Sequence, residues 1–383
     1  MNLLFLSPNF PENFRHFCAA LNERGVRVLG VGDSHPNDLH GELAQALTDY
    51  IYVPNLQDYE EVYRSVAHLI SNHGRISAVE SHNEFWLETE ARIRRDFNIA
   101  GPLPEDLVQT RSKRRMGELY AKAKVPYPLT LVATQDNALR IAKEFGYPLV
   151  VKPDYGMGSD DTYSLHSSQD IKDSLLHPRE SHVVQPYVQG RITTFDGLTD
   201  ARGEIVFCTS YIYNAGVMEV RNEQRDVYYY SRRQIPEALR SYGERLVKAF
   251  GLNRRFFHSE FFEKEDGTFC GLEMNMRPPG GFTTDLMNYS CDIDVYRLWA
   301  EVMTSPSVEA FEYEYLYHSA HASRRTSHQY AIPTEEIERR HCKYIVSHRY
   351  LPPAIAGSMG DDVYILRSPN EDRLLETIRQ IHQ

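Results

Sequence analysis

The segment from His258 to Arg277 constrains this chain more than any other. It reads His258-Ser259-Glu260-Phe261-Phe262, then Asp266-Gly267, then Gly271-Leu272-Glu273-Met274-Asn275-Met276-Arg277. Asp-Gly between two apolar runs predicts a β-hairpin. Side chains alternate between faces along a strand, so Glu273 and Asn275 share one face. Pairing through the turn brings Glu260 to the same face. Two carboxylates and an amide converging on an otherwise apolar sheet stay ionised only beside positive charge. Mg²⁺ takes oxygen ligands of this kind and shares them with phosphates. A solvated strand face with incidental acids fits the same residues, so the hairpin alone leaves both readings open. Arg277, just beyond it, would pair with the acids or hold a transferring phosphoryl group.

The first hundred residues alternate between strand and helix. Residues 2–7, 26–31, 50–53 and 76–79 read as strands, and 11–24 and 59–71 as helices; Gly25 stands where a helix-ending glycine is expected. That alternation predicts a parallel, doubly wound α/β sheet. No G-x-G-x-x-G follows the first strand, which weakens a dinucleotide-binding reading. A basic helix is expected over 108–124, ended by Pro126 and Pro128. A small α/β segment follows, with helices at 137–145 and 168–176 and strands at 149–152, 162–165 and 182–185. From Ile192 onward the pattern is α+β. Apolar runs separated by Arg202-Gly203 and Asp266-Gly267 predict an antiparallel sheet carrying helices at 236–250 and 292–303. A last strand at 363–367 and a last helix at 370–381 close the chain. The stretch 318–328 holds three histidines and two arginines without metal-ligand spacing. It reads as a solvated loop or as a pocket wall.

Three further segments carry chemistry. Lys152 ends an apolar strand and enters the loop Pro153-Asp154-Tyr155-Gly156-Met157-Gly158-Ser159. Glycines let backbone amides approach phosphate oxygens, and a lysine adds point charge. A solvated lysine before a turn fits the same residues. In Gln185-Pro186-Tyr187-Val188 an apolar strand runs into a connecting segment. Its backbone groups would serve an adenine edge or simply link two domains. Lys113 lies in a basic run, 110–115, that by itself reads as a solvated helix face.

Composition narrows the function classes. A net charge of −11 argues against non-specific nucleic-acid binding, which needs a basic surface, but leaves room for a nucleotide held by a few lysines. The 383 residues, 42% apolar and 25% charged, suit a soluble protein of two or three domains. The five cysteines are scattered and form no C-x-x-C pair, so a disulfide framework or zinc site is not expected and a reducing cytoplasm is. No apolar run is long enough to span a membrane, and the first residues read as a strand rather than a signal peptide.

Taken in order, these segments resemble the ATP-grasp superfamily of biotin carboxylase, carbamoyl-phosphate synthetase and amino-acid ligases, over residues 1–305. The resemblance places Lys113 on the first nucleotide lysine, ahead of Lys124-Val125-Pro126-Tyr127-Pro128, and Lys152 on the second. Gly156, Met157, Gly158 and Ser159 fall in the glycine-rich lid, and Gln185, Tyr187 and Val188 on the adenine hinge. Glu260, Glu273 and Asn275 fall on the ligands of Mg²⁺ or Mn²⁺, and Arg277 on the catalytic arginine beside the reacting phosphate. Gln185 stands where the family often has glutamate, and Ile192 where it has an acidic residue. Ribose recognition is therefore expected from Asp196. The resemblance implies a Rossmann-like domain (1–107), a helix and lid subdomain (108–190), and a large antiparallel-sheet subdomain with a C-terminal extension (191–383). It implies an ATP-dependent ligase that activates a small-molecule carboxylate as an acyl phosphate and joins it to an amine. Arg277, Gly280, Gly281 and Arg221 would meet the substrate. A homodimer through the first domain is compatible with it. Two alternatives stay open: a carboxylase or carbamoyl-phosphate-type enzyme using bicarbonate, and a non-catalytic nucleotide-binding regulator.

Overall fold

A computed structural model describes residues 1–156, 161–216, 224–308 and 311–383. Met157, Gly158, Ser159 and Arg221 lie outside these residues. The first four strands are β1 (Asn2–Leu6), β2 (Arg27–Gly32), β3 (Leu47–Tyr52) and β4 (Ala78–Glu80). They form a parallel sheet in the order β3-β2-β1-β4. Every residue of β1 is buried, as a parallel strand covered on both faces requires. The order reverses between β1 and β4. Open α/β sheets bind ligands outside the carboxyl ends of the strands at such a point.

The next strands are β5 (Leu131–Ala133), β6 (Leu149–Pro153), β7 (Tyr163–Leu165) and β8 (Arg179–Pro186). They make an antiparallel sheet in the order β5-β8-β6-β7, backed by helices Gln135–Phe145 and Ser168–Ser174 through a core of Ile141, Leu149, Val151 and Ile171.

The remaining strands form one nine-stranded sheet: β9 (Arg191–Thr199), β10 (Ile205–Thr209), β11 (Tyr211–Tyr213), β12 (Tyr228–Ser231), β13 (Phe256–Glu263), β14 (Phe269–Asn275), β15 (His318–Arg324), β16 (Ile345–Tyr350) and β17 (Asp362–Ser368). The order is β14-β13-β9-β11-β12-β15-β17-β16, with β10 also paired to β9. Helices Thr283–Cys291 and Val295–Thr304 join it to the parallel sheet. Phe5, Phe17, Leu198, Phe256 and Trp299 belong to one buried cluster that spans both.

Two expectations are corrected. The helix expected over 108–124 is two helices, Pro104–Arg111 and Lys113–Lys122. The break falls at Ser112, whose extended backbone lets its hydroxyl accept from the Arg115 N–H and donate to Asp154. The stretch 318–328 is not a solvated loop over its first half. It is β15, an interior strand buried at every position, paired to β12 and β17. Most of its polar side chains are satisfied inside: Ser319 bonds Ser231 and the Leu286 carbonyl, and Arg324 bonds the Ile381 and Ile332 carbonyls, while His321 Nδ1 is buried with no partner among the described residues.

Candidate functional site

The site begins with a register shift. Lys264 N–H bonds the Thr268 carbonyl, so the hairpin loop is three residues, Glu265 to Gly267, with Gly267 at φ +77°. Loops of this length favour glycine in the left-handed conformation. Beside the turn, Glu263 pairs with Phe269 and Phe261 with Gly271. That register, continued, would set Glu260 opposite Leu272 and turn it away from Glu273. A bulge between Glu260 and Phe261 shifts the pairing by one, so Glu260 stands opposite Glu273 and His258 opposite Asn275. A one-residue slip moves a side chain to the other face, and bulges beside functional sites re-aim side chains in this way.

The same face continues across β9. His258 pairs with Asp196 and Glu260 with Thr194. Asp196 is fully buried. One of its oxygens meets His258 Nδ1 at 2.6 Å and the other accepts from the Thr194 hydroxyl at 2.5 Å. Both oxygens are thus engaged inside the sheet, which leaves the expected ribose contact no surface. His258 Nε2 reaches toward Glu260 at 3.7 Å. Burial alone would depress the His258 pKa; the Asp196 and Glu260 carboxylates override it and raise it to about 9. Burial pushes Glu260 up, but His258, Arg277 and Lys152 outweigh it and hold it below the usual range. Glu273 moves the other way: burial, with Glu84 and Glu260 as like charges, raises it despite Lys113 and Lys152.

Two lysines face these carboxylates. Helix Lys113–Lys122 packs along the edge strand β14: Lys113 Nζ is 4.0 Å from Glu273 Oε1, and two turns on, Tyr120 packs on Gly271, which the bulge turns to the other face with Phe261. Lys152 ends β6. Asp154, two residues later, ties the two lysine-bearing elements together. It accepts from the Ser112 hydroxyl at 2.7 Å and the Arg114 N–H at 3.0 Å, while its carbonyl accepts from the Lys113 N–H. An aspartate at a helix N-terminus is favoured by the free amides and the helix dipole. Burial and then the Lys113 ammonium pull the Lys152 pKa down to about 8, against the pull of Glu273 and Glu260. Paired acids opposite paired lysines suit a ligand that carries both a cation and several anionic oxygens.

Beyond the face, Arg277 donates to Glu84 Oε2 from Nη2 at 3.0 Å and from Nε at 3.3 Å, and to the Pro278 carbonyl. Gly280 is exposed. Gly281 is at φ +63°, where an added Cβ would lie 2.3 Å from Met359 Cε. Behind the lysines, Gln185 is buried and donates to the Thr130 hydroxyl at 2.6 Å. Tyr187 is exposed and its N–H bonds the Pro148 carbonyl; Val188 N–H has no protein acceptor among the described residues. Gly156 borders the segment whose other lid positions are not described.

The residues brought together are therefore Lys113, Lys152, Glu260, Glu273 and Asn275, with Arg277 at the rim. Sequence reasoning missed His258 and Glu84. Only the β9–β13 pairing reveals the first as a partner of Asp196, and only the packing of the parallel sheet reveals the second. Among the described residues, no three His, Cys, Asp or Glu side chains stand close enough to enclose a metal ion by themselves. Two carboxylates and an amide still suit Mg²⁺, which commonly takes one or two carboxylates and completes its shell with phosphate and water. Two prominent cavities lie elsewhere. One of about 820 Å³ runs beside the free edge of β4, with Arg94, Arg255 and Met276 in its wall; one of about 520 Å³ lies between Asp292 and Lys343.

No family model matches the chain. It is 24% identical over 238 residues to the carbamoyl phosphate synthase large chain of Thermoanaerobacter sp., a match covering 59% of this chain. The chain spans about a fifth of the length of that relative (21%). An uncharacterized protein of Sinorhizobium fredii is 32% identical over 163 residues, 41% of this chain and 32% of its own. Among solved structures, an L-amino acid ligase from Bacillus licheniformis superimposes with a TM-score of 0.75 over 99% of this chain and 96% of its own, at 16% identity. The biotin carboxylase domain of the Hydrogenobacter thermophilus 2-oxoglutarate carboxylase, solved with MgADP and bicarbonate, gives 0.73 over 99% and 88%, at 17% identity. At these identities the structural likeness is one of fold, and that fold is the ATP-grasp fold.

Proposed function

We propose that this chain, with its ATP-grasp fold, is an ATP-dependent ligase that phosphorylates a carboxylate and joins the resulting acyl phosphate to an amine. The carboxylate oxygen attacks the γ-phosphorus and ADP leaves. The amine then displaces inorganic phosphate from the acyl carbon, forming an amide. One observation carries the reading: Glu260 and Glu273 stand opposite each other on a sheet face overlooked by Lys113 and Lys152. Phosphoryl transfer needs little more from a protein than position and charge. Lys113, Lys152 and Arg277 would offset charge developing on the transferring group. Glu260, Glu273 and Asn275 would hold Mg²⁺ or Mn²⁺, which when bound neutralises phosphate oxygens.

In this reading adenine lies against Gln185, Tyr187 and Val188, with the Val188 N–H as a donor. The phosphates lie toward Gly156, where excluding water protects the acyl phosphate. Asp196 orients His258 rather than binding ribose. Residues 1–107 and the Gly280-Gly281 turn form the side of the site that takes the acid and the amine; 108–190 and 191–383 enclose the nucleotide.

The sequence match to a carbamoyl phosphate synthase favours a second reading, in which bicarbonate is the acid phosphorylated. ADP release from Mg-ATP, measured with pooled amino acids and with bicarbonate, separates the two. Release that needs amino acids supports the ligase. Release with bicarbonate alone supports the second reading, and nucleotide binding without turnover contradicts both.

A further inference from the structure

The Glu84–Arg277 pair joins two parts of the chain that are 193 residues apart in sequence. Glu84 follows β4, at the carboxyl edge of the parallel sheet and at the point where its strand order reverses. Arg277 follows β14, two residues beyond Asn275. Neither side chain is sealed in: Glu84 is 11% exposed and Arg277 20%. Both lie next to the carboxylate face, since Glu84 and Arg277 are among the charges that act on Glu273 and Glu260.

The loop that presents Glu84 is held firmly. His82 adopts φ +55°, a left-handed conformation that costs a non-glycine residue on the order of 1 kcal/mol or more. Its ring sits in a cage of Phe5, Phe14, Phe17, Phe256 and Trp299, with centroids 4.1 Å from Phe17 and 4.5 Å from Trp299. Ser81 donates to Glu90. Arg255 meets Glu80 at 3.5 Å and donates to the Met276 carbonyl at 3.2 Å, so one side chain fixes the Glu84 loop and the strand end before Arg277 relative to each other. A strained, caged, doubly anchored loop that delivers one carboxylate to the rim of a site is built for placement. The contact it delivers is a largely buried ion pair at the rim, so a ligand that parts it must itself supply both counter-charges.

Resting on the carboxylate-activating reading above, we propose that Glu84 and Arg277 form the subsite for the acid to be phosphorylated, and that this acid is an α-amino acid zwitterion. Arg277 takes its carboxylate beside the phosphate-facing residues, and Glu84 takes its ammonium. An α-amino acid carries opposite charges one carbon apart, so it replaces the ion pair with two charge-assisted bonds of the same polarity. A carboxylic acid without the ammonium would leave Glu84 facing Glu260 and Glu273 with its counter-charge withdrawn.

The test uses the full chain, Mg-ATP, and the amino acid that best supports ADP release, compared with its analogue in which hydrogen replaces the ammonium. The wild type should prefer the amino acid by at least about 100-fold in kcat/KM, as sites built around a substrate N–H group do. Glu84→Gln should lose most of that preference, through a higher KM for the amino acid and a lower one for the analogue, with Glu84→Asp intermediate. Thermal shift by the same two compounds in the presence of MgADP reads binding without turnover. Equal use or equal binding of both compounds by the wild type overturns the proposal. So does a Glu84→Gln defect of the same size for each, which marks a purely structural pair. Amino-acid binding that discriminates without any ADP release contradicts the ligase reading and leaves the subsite standing.

Discussion

Gly271→Ala should damage nucleotide binding without touching a charged residue. Gly271 lies two positions before Glu273, but the bulge between them sets it opposite Phe261, on the other face of β14, under the ring of Tyr120. A Cβ there would fall 2.1 Å from Tyr120 Cε1 and 2.8 Å from Cδ1. Ordinary contact begins near 3.4 Å, so the ring must retreat by about 1.3 Å, the difference between 3.4 and 2.1 Å. It has little room to do so. Tyr120 is fully buried, and its outer side meets Tyr127 at 4.4 Å and Phe250 at 6.1 Å between centroids. The helix Lys113–Lys122 must therefore lift, and Lys113 must withdraw from Glu273, now 4.0 Å away. Overpacking of this kind costs about 1–3 kcal/mol. A displacement near 1 Å at a reacting centre lowers turnover by up to roughly 100-fold. Urea unfolding and calorimetric MgADP binding read the two effects. Adding Tyr120→Leu to Gly271→Ala should recover part of both, with a coupling of about 1 kcal/mol or more. A Gly271→Ala protein within about 0.5 kcal/mol of wild type and binding MgADP equally well would refute the packing argument.

Other outcomes follow from the same geometry. Burial holds His82 and His321 neutral, each with its pKa lowered to about 4. Because these folded values lie below the unfolded one, the unfolded chain takes up protons first. Stability should fall as pH drops from about 6.5 toward 4, by on the order of 2 kcal/mol for each histidine at pH 5. Urea titrations at pH 7 and pH 5 check this; His321→Gln should flatten the slope, and an unchanged slope would count against the assignment. Lys152 should acetylate with an apparent pKa near 8, and Lys113→Met should raise it, because the neighbouring ammonium helps depress it. Mass-spectrometric labelling across pH measures both, and an unmoved profile would mean the lysines do not sense each other. Glu273→Gln should abolish turnover while the circular dichroism spectrum and unfolding midpoint stay close to wild type.

Much of the fold is legible in the sequence where local rules act. The βα alternation of the first hundred residues, the strands and helices on either side of Lys152, and the Asp266-Gly267 hairpin all follow from spacing and turn chemistry, whereas the antiparallel pairing around Lys152 does not. Glu260 and Glu273 share a face, as the sequence predicts, but through a different turn. A two-residue turn would give that register directly, whereas the structure has a three-residue loop and a compensating bulge. Strand β15 escaped because Ser319, His321, Ser323 and Arg324 spell a loop by composition; their partners, such as Ser231 and the Ile381 carbonyl, come from distant segments. The break at Ser112 was hidden because its cause, Asp154, lies 42 residues away. The roles of His258 and Glu84 depend on strands and domains meeting, and no local pattern encodes that.

The central claim is that the paired carboxylates draw a divalent cation against a bound nucleotide. Calorimetric titration of ADP into the wild-type chain and into Glu260→Gln/Glu273→Gln, with Mg²⁺ and with EDTA, tests it most directly. The wild type should bind ADP at least about tenfold more tightly with Mg²⁺ than without, roughly 1.4 kcal/mol. The double variant should keep its EDTA affinity and lose that gain. An undiminished Mg²⁺ gain in the double variant would show that the cation is held elsewhere.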